Sequence, residues 1–179
     1  MRDRRLTGHQ GAAAGARRHR VEGDGWVECG CGRRHWGLHG AAGLLLVRRD
    51  RDGRATDVVL QHRAPWSDAG GTWALPGGAR GADETPEQAA LREAHEEAGV
   101  DAAGLRVLGT HVLEHPDWSY TTVLAETLVP FEPAVTDAES LEVAWVALDD
   151  VTERPLLPAF ADAWPGLRAR VEHPATGEA

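Results

Sequence analysis

Three glutamates at helical spacing are the residues of this chain best suited to chemistry. Glu93, Glu96 and Glu97 stand three and four positions apart, so their side chains share an arc of about 100° on a helix. Like charges at these spacings repel by about a few tenths of a kcal/mol per pair, and only Arg92 lies beside them in sequence. The cluster is either a solvated acidic face or a divalent-cation site, because carboxylate oxygens are hard ligands that suit Mg²⁺ or Mn²⁺.

The helix that would carry these carboxylates has sequence signals at both ends. Thr85 is placed as the N-cap, Pro86 as the first helical residue and Gln88 as the third residue after the cap. Gly99 supplies the stop, so the pattern predicts a helix over residues 86–98. The side of this helix that can face a core consists of small and apolar residues, namely Ala90, Leu91, Ala94 and Ala98.

The segment before the helix favours the metal interpretation. Residues 75–78 (LPGG) form a Gly-rich turn in which backbone carbonyls can approach a cation. From residue 77 to residue 100 the chain reads GGARGADETPEQAALREAHEEAGV. This stretch resembles the Nudix box, in which Gly, Glu, Arg-Glu, Glu-Glu and Gly stand at set intervals. The defined positions are all filled, by Gly78, Glu84, Arg92, Glu93, Ala94, Glu96, Glu97, Gly99 and Val100.

The Nudix resemblance implies both a fold and a reaction. The fold would be an α/β structure, an αβα sandwich with a central mixed sheet, and looser similarity extends over residues 37–170. Family members cleave a diphosphate linkage between a nucleoside diphosphate and another group, with water as nucleophile and Mg²⁺ or Mn²⁺ as activator. We therefore expect a Mg²⁺-dependent pyrophosphohydrolase, with a nucleoside triphosphate or ADP-ribose slightly favoured as substrate. The alternative is a non-catalytic Nudix domain that senses a nucleotide ligand.

The resemblance also assigns roles to the charged residues of the box. Glu96 and Glu97 would be metal ligands, and Glu93 would be either a further ligand or the base that accepts a proton from water. Arg92 would pair with Glu96 or Glu84 and hold the carboxylates in position. Glu84 would likewise be a supporting residue, and Glu93, Arg92 and Glu84 would together form the catalytic set.

Two further metal contacts are expected from outside the helix. The carbonyl of Gly77 would complete the metal sphere. Many family members add an acid from another loop, and residues 137–142 (DAESLE) offer one here. Glu139 is the first choice for this extra ligand and Glu142 the second, while an ordinary exposed loop acid remains the alternative for each.

Substrate contacts are expected from a cation and from aromatic rings. Arg63 could bind a phosphate through its two-pronged guanidinium, or could form a structural ion pair instead. Trp66, Trp118 and Tyr120 could stack on a base, or could serve ordinary packing. Of these rings, Trp118 and Tyr120 are preferred because they flank a predicted junction between a loop and a strand.

Length, charge and cysteine content exclude several classes of protein. A chain of 179 residues with 42% hydrophobic residues suits one globular domain, and its longest apolar run, residues 41–47, is too short to span a membrane. The net charge of −9 disfavours general nucleic-acid binding. Cys29 and Cys31 are poorly placed to bridge each other, so no disulfide framework is expected, which fits a reducing cytoplasm.

Charge also divides the chain along its length. Residues 1–20 contain six Arg and one Asp, a net charge of +5, whereas the rest contains 13 Arg and 27 acids, a net charge of −14. We expect a disordered basic lead-in over residues 1–22, a single domain over residues 23–172 and a frayed tail over residues 173–179. Exposed tryptophans would suit a homodimer interface.

Strand patterns surround the central helix. Short apolar runs bounded by turn residues predict strands over residues 42–48, 57–62, 107–113, 120–128 and 143–148. A second helix is predicted over residues 157–171, with Pro165 straining its middle.

A cluster of cysteine and histidine precedes the first predicted strand. Cys29, Cys31, His35 and His39 form the pattern C-x-C-x₃-H-x₃-H, whose residue types suit Zn²⁺. The C-x-C spacing is tighter than usual for zinc ligands, and the two C-x-x-C pairs of the zinc ribbon in some Nudix relatives are missing. We interpret these residues as packing and incidental residues, with a zinc-dependent binding module as the alternative.

Overall fold

The computed structural model describes residues 22–174 of the chain. The strands are β1 (Trp26–Glu28), β2 (Arg34–Trp36), β3 (Ala41–Arg49), β4 (Ala55–Arg63), β5 (Trp73–Ala74), β6 (Gly77–Ala79), β7 (Leu105–His115), β8 (Trp118–Thr127) and β9 (Ser140–Ala147). The helices are α1 (Pro86–Ala98) and α2 (Pro158–Glu172). The predicted lead-in and tail lie outside the described residues except for residues 22, 173 and 174.

Seven strands form one mixed sheet. The main order is β5-β4-β3-β8-β7, with β6 also paired to β3 and β9 to β4. Strands β3 and β8 run parallel, and every other pair in this sheet is antiparallel. A parallel pair needs a long crossover connection, and here that connection contains α1. The predicted central mixed sheet is confirmed.

Each face of the sheet is covered by one helix. Because side chains alternate along a strand, β3 sends Leu45 and Val47 to one face and Leu44 and Leu46 to the other. Helix α2 covers the first face with Phe160, Trp164, Leu167 and Val171. Helix α1 covers the second face with Ala89, Ala90, Ala94 and Ala98, all fully buried. The αβα sandwich is therefore confirmed, and the small residues of α1 let its backbone lie close to β3.

Helix α1 begins and ends as its sequence signals predict. The Thr85 hydroxyl accepts the Gln88 N–H at 3.2 Å, and the Gln88 side chain accepts the Thr85 N–H at 2.9 Å. Gly99 ends the helix in the left-handed conformation with φ of 70°. Both ends are thus held by local interactions, which places the glutamates of α1 at defined positions above the sheet.

Removing the Thr85 hydroxyl should destabilise the protein measurably. We expect Thr85→Ala to lower the free energy of unfolding by about 1 kcal/mol, because an N–H of the first turn loses its acceptor. Urea denaturation followed by circular dichroism measures this change. Thr85→Ser keeps the hydroxyl and should stay close to wild type; equal losses in both variants would show that the cap is not responsible.

Three local features differ from the predictions. Residues 26–36 form a short hairpin, β1–β2, because three-residue strands are too brief to show a pattern. Gly77–Ala79 is a strand paired with β3, where the sequence indicated only a turn. The polar residues 115–119 are part of a tight β7–β8 hairpin, in which His115 pairs with Trp118.

The second helix is confirmed over Pro158–Glu172. Pro165 lies inside it without ending it. Neither α1 nor α2, the two α-helices within residues 22–174, has the length and apolar character that a membrane crossing requires.

Candidate functional site

Arg92 organises the acidic residues of α1 and of the loop before it. Its Nε and Nη2 atoms donate to the two carboxylate oxygens of Glu84 at 2.6 and 2.9 Å. Its Nη1 atom donates to Glu93 at 2.7 Å and to Glu96 at 3.3 Å. Nη2 also donates to the Ala79 carbonyl of β6 at 3.0 Å. One guanidinium therefore ties three carboxylates to the Gly-rich strand, a wider role than the single pairing that the sequence predicted.

Glu84 stays ionised as the partner of this guanidinium. The hydrogen bond from Arg92 holds the pKa of Glu84 below its usual range, and the N–H of Gly81, donating at 2.8 Å, acts in the same direction. With a full bidentate ion pair and a backbone donor, Glu84 has little capacity left for another cation. Its placement suits support of the site.

Glu97 is the buried acid of the cluster, and the side chain of Glu93 is largely buried beside it. Glu97 is only 7% exposed, and its Oε2 accepts the Gly77 N–H at 2.8 Å. Burial raises the pKa of Glu97 to about 8, and the charge of Glu93 adds to this rise. Burial likewise raises the pKa of Glu93 to about 7, against the opposing effect of Arg92. The surroundings of these two adjacent carboxyls thus supply too little positive charge to compensate for the ionisation of both.

Glycine at position 78 allows the close approach between β6 and α1. A side chain there would place its Cβ 2.7 Å from Oε1 of Glu93, closer than non-bonded atoms approach. Gly43 on β3 has a similar role, because the hydroxyl of Tyr120 occupies the space where its Cβ would stand. The site is therefore built where glycine backbone leaves room for a carboxylate and for a phenol.

Gln61 is a buried polar residue of this site that the sequence analysis did not assign. It is fully buried on β4, and its Nε2 donates to the Ser140 hydroxyl at 2.8 Å. That hydroxyl donates to Asp137 at 2.6 Å. Hydrogen bonding by the Gln61 side chain lowers the pKa of Glu97. The available signal was a glutamine within an otherwise apolar strand core (VVLQ).

The segment before β9 brings Asp137, an acid that the sequence analysis did not single out, near Glu97. The charge of Asp137 raises the pKa of Glu97, which places it within electrostatic reach of the cluster. Glu139 is half-buried, and its carbonyl accepts the Ala64 N–H at 2.7 Å. Glu142 is exposed and pairs across the sheet with His62.

The predicted substrate residues fall into two groups: Tyr120 and Arg63 lie near the acidic cluster, and Trp118 lies at the β1–β2 hairpin. Tyr120 lies within the site, since its hydroxyl packs on Gly43 and a Cβ on Gly77 would stand 3.0 Å from it. Burial raises the pKa of Tyr120, and the positive charge of nearby Arg63 opposes that rise. The Nε of Arg63 donates to the Asp68 carbonyl at 2.9 Å.

Trp118 is held by the β1–β2 hairpin. Its ring stacks on His35 with centroids 4.4 Å apart, and its Nε1 donates to the Trp36 carbonyl at 3.0 Å. The ring centroid lies 6.3 Å from that of Tyr120. One face of Trp118 is therefore covered by His35.

Comparison with known proteins decides the family. A family model described as the NUDIX domain matches residues 37–167. The chain belongs to the Nudix family. The resemblance inferred from the sequence is thereby confirmed, and the prediction of a Nudix hydrolase is confirmed at the level of the family.

Several relatives of this Nudix chain are similar over most of its length. It is 48% identical over 159 residues to a nucleoside triphosphate pyrophosphatase/Nudix hydrolase fusion protein of Bifidobacterium longum, a match covering 87% of this chain and 33% of that protein. It is 48% identical over 155 residues to a putative 8-oxo-dGTP diphosphatase 3 of Mycobacterium tuberculosis, covering 83% of this chain and 70% of that protein. This chain thus spans about a third of the fusion protein.

A solved structure agrees with the fold. The crystal structure of a Nudix hydrolase from M. smegmatis, RenU, shares 48% identity and a TM-score of 0.76. The match covers 87% of this chain and all of that one.

Proposed function

We propose that this Nudix chain is a divalent-cation-dependent pyrophosphohydrolase that cleaves a phosphoric anhydride bond in a small nucleotide. A nucleoside triphosphate, including one with an oxidised purine, and ADP-ribose are the favoured substrates. The observation that carries this proposal is a pair of carboxyls on α1, the buried Glu97 and the largely buried Glu93, which lie beside Glu96 and against the Gly-rich strand β6.

These residues fit a divalent cation. The donor set consists of carboxylate oxygens, the ligand type that Mg²⁺ and Mn²⁺ prefer. The raised pKa values of Glu93 and Glu97 indicate a local deficit of positive charge, which a cation would remedy. The buried Oε1 of Gln61 accepts no hydrogen bond from any of residues 22–174. Glu93, Glu96, Glu97 and the carbonyl of Gly77 would hold the ion, which when bound neutralises phosphate charge and acidifies water.

The protein's own residues have separable tasks in this proposal. Arg92 holds Glu84, Glu93 and Glu96 in one arrangement and does not contact the substrate. Glu93 serves either as a ligand or as the base that takes a proton from water; its raised pKa, near neutrality, suits the second role.

An acid from the segment before β9 would add a ligand. Glu139 remains a candidate, and Asp137 joins it because its charge acts on Glu97. Replacing each by its amide and titrating the metal would rank them, since the true ligand loses more affinity.

Arg63 and Tyr120 would contact the phosphates, and Trp118 would contact the base. Arg63 and Tyr120 lie together near the buried carboxyls. The half-buried ring of Trp118 lies 6.3 Å from that of Tyr120. The printed name of the M. tuberculosis relative, an 8-oxo-dGTP diphosphatase, supports a purine nucleoside triphosphate as the first substrate to try.

A hydrolysis screen tests the proposal. The panel comprises nucleoside triphosphates, 8-oxo-dGTP, ADP-ribose, dinucleoside polyphosphates and nucleotide sugars, each with Mg²⁺ or Mn²⁺, and products are identified by mass. Glu97→Gln protein is the blank. We expect turnover of one class that is absent in the blank and in chelator. If no compound is cleaved while one raises the melting temperature, the domain is a ligand sensor instead.

A further inference from the structure

The β1–β2 hairpin assembles three metal-ligating side chains outside the acidic cluster. Val27 pairs with His35 across the hairpin. Two backbone hydrogen bonds close the turn. The Cys29 N–H donates to the Arg33 carbonyl at 3.0 Å, and the Gly32 N–H donates to the Cys29 carbonyl at 2.9 Å. Gly32 adopts the left-handed conformation, with φ of 80°. This tight reversal brings Cys31 back over His35, although the C-x-C spacing alone disfavoured such a group.

The ligand atoms of Cys29, Cys31 and His35 all lie within 4.8 Å of one another. The Cys31 Sγ is 3.2 Å from Nε2 of His35. Cys29 is buried and Cys31 is exposed, so the group opens to solvent on one side. An exposed thiol adds nothing to a hydrophobic core, which argues against the interpretation of these residues as packing. His39 does not join the group. It is exposed, and its carbonyl accepts a hydrogen bond from the Nε of Arg80.

Backbone donors surround the buried sulfur. The N–H groups of Cys31 and Asp117 hydrogen-bond to Cys29. Such N–H donors are suited to a cysteine sulfur that carries negative charge when it binds a metal. The carboxylate of Asp117 is engaged by the Gly30 N–H at 2.7 Å. The turn of the β7–β8 hairpin thus closes over the base of the group.

We propose that Cys29, Cys31 and His35 bind a zinc ion. Two thiolates and one imidazole are ligands that Zn²⁺ prefers and Mg²⁺ does not. Three protein ligands leave one tetrahedral position for water. This site is separate from the acidic cluster and does not depend on the proposed hydrolase activity.

The zinc ion would fasten the β1–β2 hairpin to one wall of the candidate active site. The His35 ring lies against His115, with centroids 4.3 Å apart, and against Trp118 at 4.4 Å. Trp118 neighbours Tyr120, whose hydroxyl packs on Gly43. A small hairpin with three-residue strands has little core of its own, so a bound ion would supply the missing stabilisation.

Metal analysis of the full chain tests this proposal. The protein is produced in zinc-supplemented medium, freed of any tag, dialysed against metal-free buffer and analysed by mass spectrometry of the metal. We expect about one zinc per chain. Cobalt substitution should give the near-ultraviolet absorption of thiolate-to-cobalt charge transfer, a signal that carboxylate ligation does not produce.

Matched variants identify the ligands. Cys31→Ser and His35→Gln should weaken zinc binding by more than the ~10–100-fold that outer contacts of a metal site cost. His39→Gln, the histidine of the same sequence pattern that lies outside the group, should retain zinc. Glu97→Gln should also retain zinc, which separates this site from the acidic cluster. Because Cys31 is exposed, Cys31→Ser should fold, and a chelator should lower the melting temperature of wild type but not of this variant.

Three outcomes would overturn the proposal. The first is wild-type protein that holds no zinc above the level of Cys31→Ser. The second is equal zinc loss in His39→Gln and His35→Gln. The third is a zinc signal that disappears in Glu97→Gln but persists in Cys31→Ser, since the carboxylates would then be the ligands.

Discussion

Glu97→Gln should reduce turnover by about 10²–10⁴-fold while leaving the protein folded. The amide oxygen can still accept the Gly77 N–H that Glu97 receives at 2.8 Å, so the local geometry is preserved. The substitution removes one negative charge from the proposed metal sphere with little change in volume. Relief of the repulsion between Glu97 and Glu93 should keep the stability equal to that of wild type or increase it.

Kinetics at saturating Mg²⁺ measure the loss of turnover, and circular dichroism measures whether the variant stays folded and how stable it is. Glu87→Gln is the matched control, because it makes the same change on an exposed acid in the first turn of the same helix. The control should keep nearly full activity. If Glu97→Gln is as active as Glu87→Gln, the assignment of Glu97 as a metal ligand is wrong.

The metal-free protein should lose stability as the pH rises from about 4.5 to about 8. The pKa values of Glu93 and Glu97 are raised to about 7 and about 8 in the folded protein, whereas unfolded glutamates titrate near 4.5. Between these values the folded state binds more protons than the unfolded state, so the slope of unfolding free energy against pH is negative. The loss should be on the order of a few kcal/mol.

Added Mg²⁺ should reverse this loss, and more so at pH 8 than at pH 6, because the cation competes with protons for the same carboxylates. Urea denaturation in chelator and in Mg²⁺ across this pH range measures the effect. Glu97→Gln should flatten the chelator curve. Both proteins contain His35, whose lowered pKa changes the stability in the opposite direction. Subtracting one curve of unfolding free energy against pH from the other therefore cancels its contribution. A difference that does not vary with pH would contradict the prediction.

The lowered pKa values of Glu84 and Asp57 do not interfere with this test. Each of these carboxylates is held ionised by a hydrogen bond from an arginine, Arg92 and Arg48 respectively. Their contribution to stability is present above the unfolded pKa and disappears as the pH falls through the folded one. That window lies on the acid side of the range in which Glu93 and Glu97 titrate.

Sequence alone was sufficient for the features that depend on local interactions. The boundaries of α1 follow from Thr85, Gln88 and Gly99, whose hydrogen bonds and backbone angle involve only near neighbours. The identity of the family followed from residue types at set intervals along a single segment. The apolar runs of β3 and β4 located the central strands, because burial on both faces removes polar residues from both sides of a strand.

Tertiary structure decided the contacts between residues distant in the chain. Asp137 comes within electrostatic reach of Glu97 because β9 pairs with β4, the strand that carries Gln61. Tyr120 reaches Gly43 only because β8 runs parallel to β3, a pairing that no local pattern encodes.

The cysteine and histidine group is local in sequence, but its geometry also depends on strand pairing, here between β1 and β2. Its spacing looked unfavourable as a linear pattern, yet the reversal at Gly32 brings Cys31 within 3.2 Å of His35. Local propensities determine where a chain turns and which faces are apolar. The geometry of a site is set by the pairing of strands, which depends on the packing of the whole sheet.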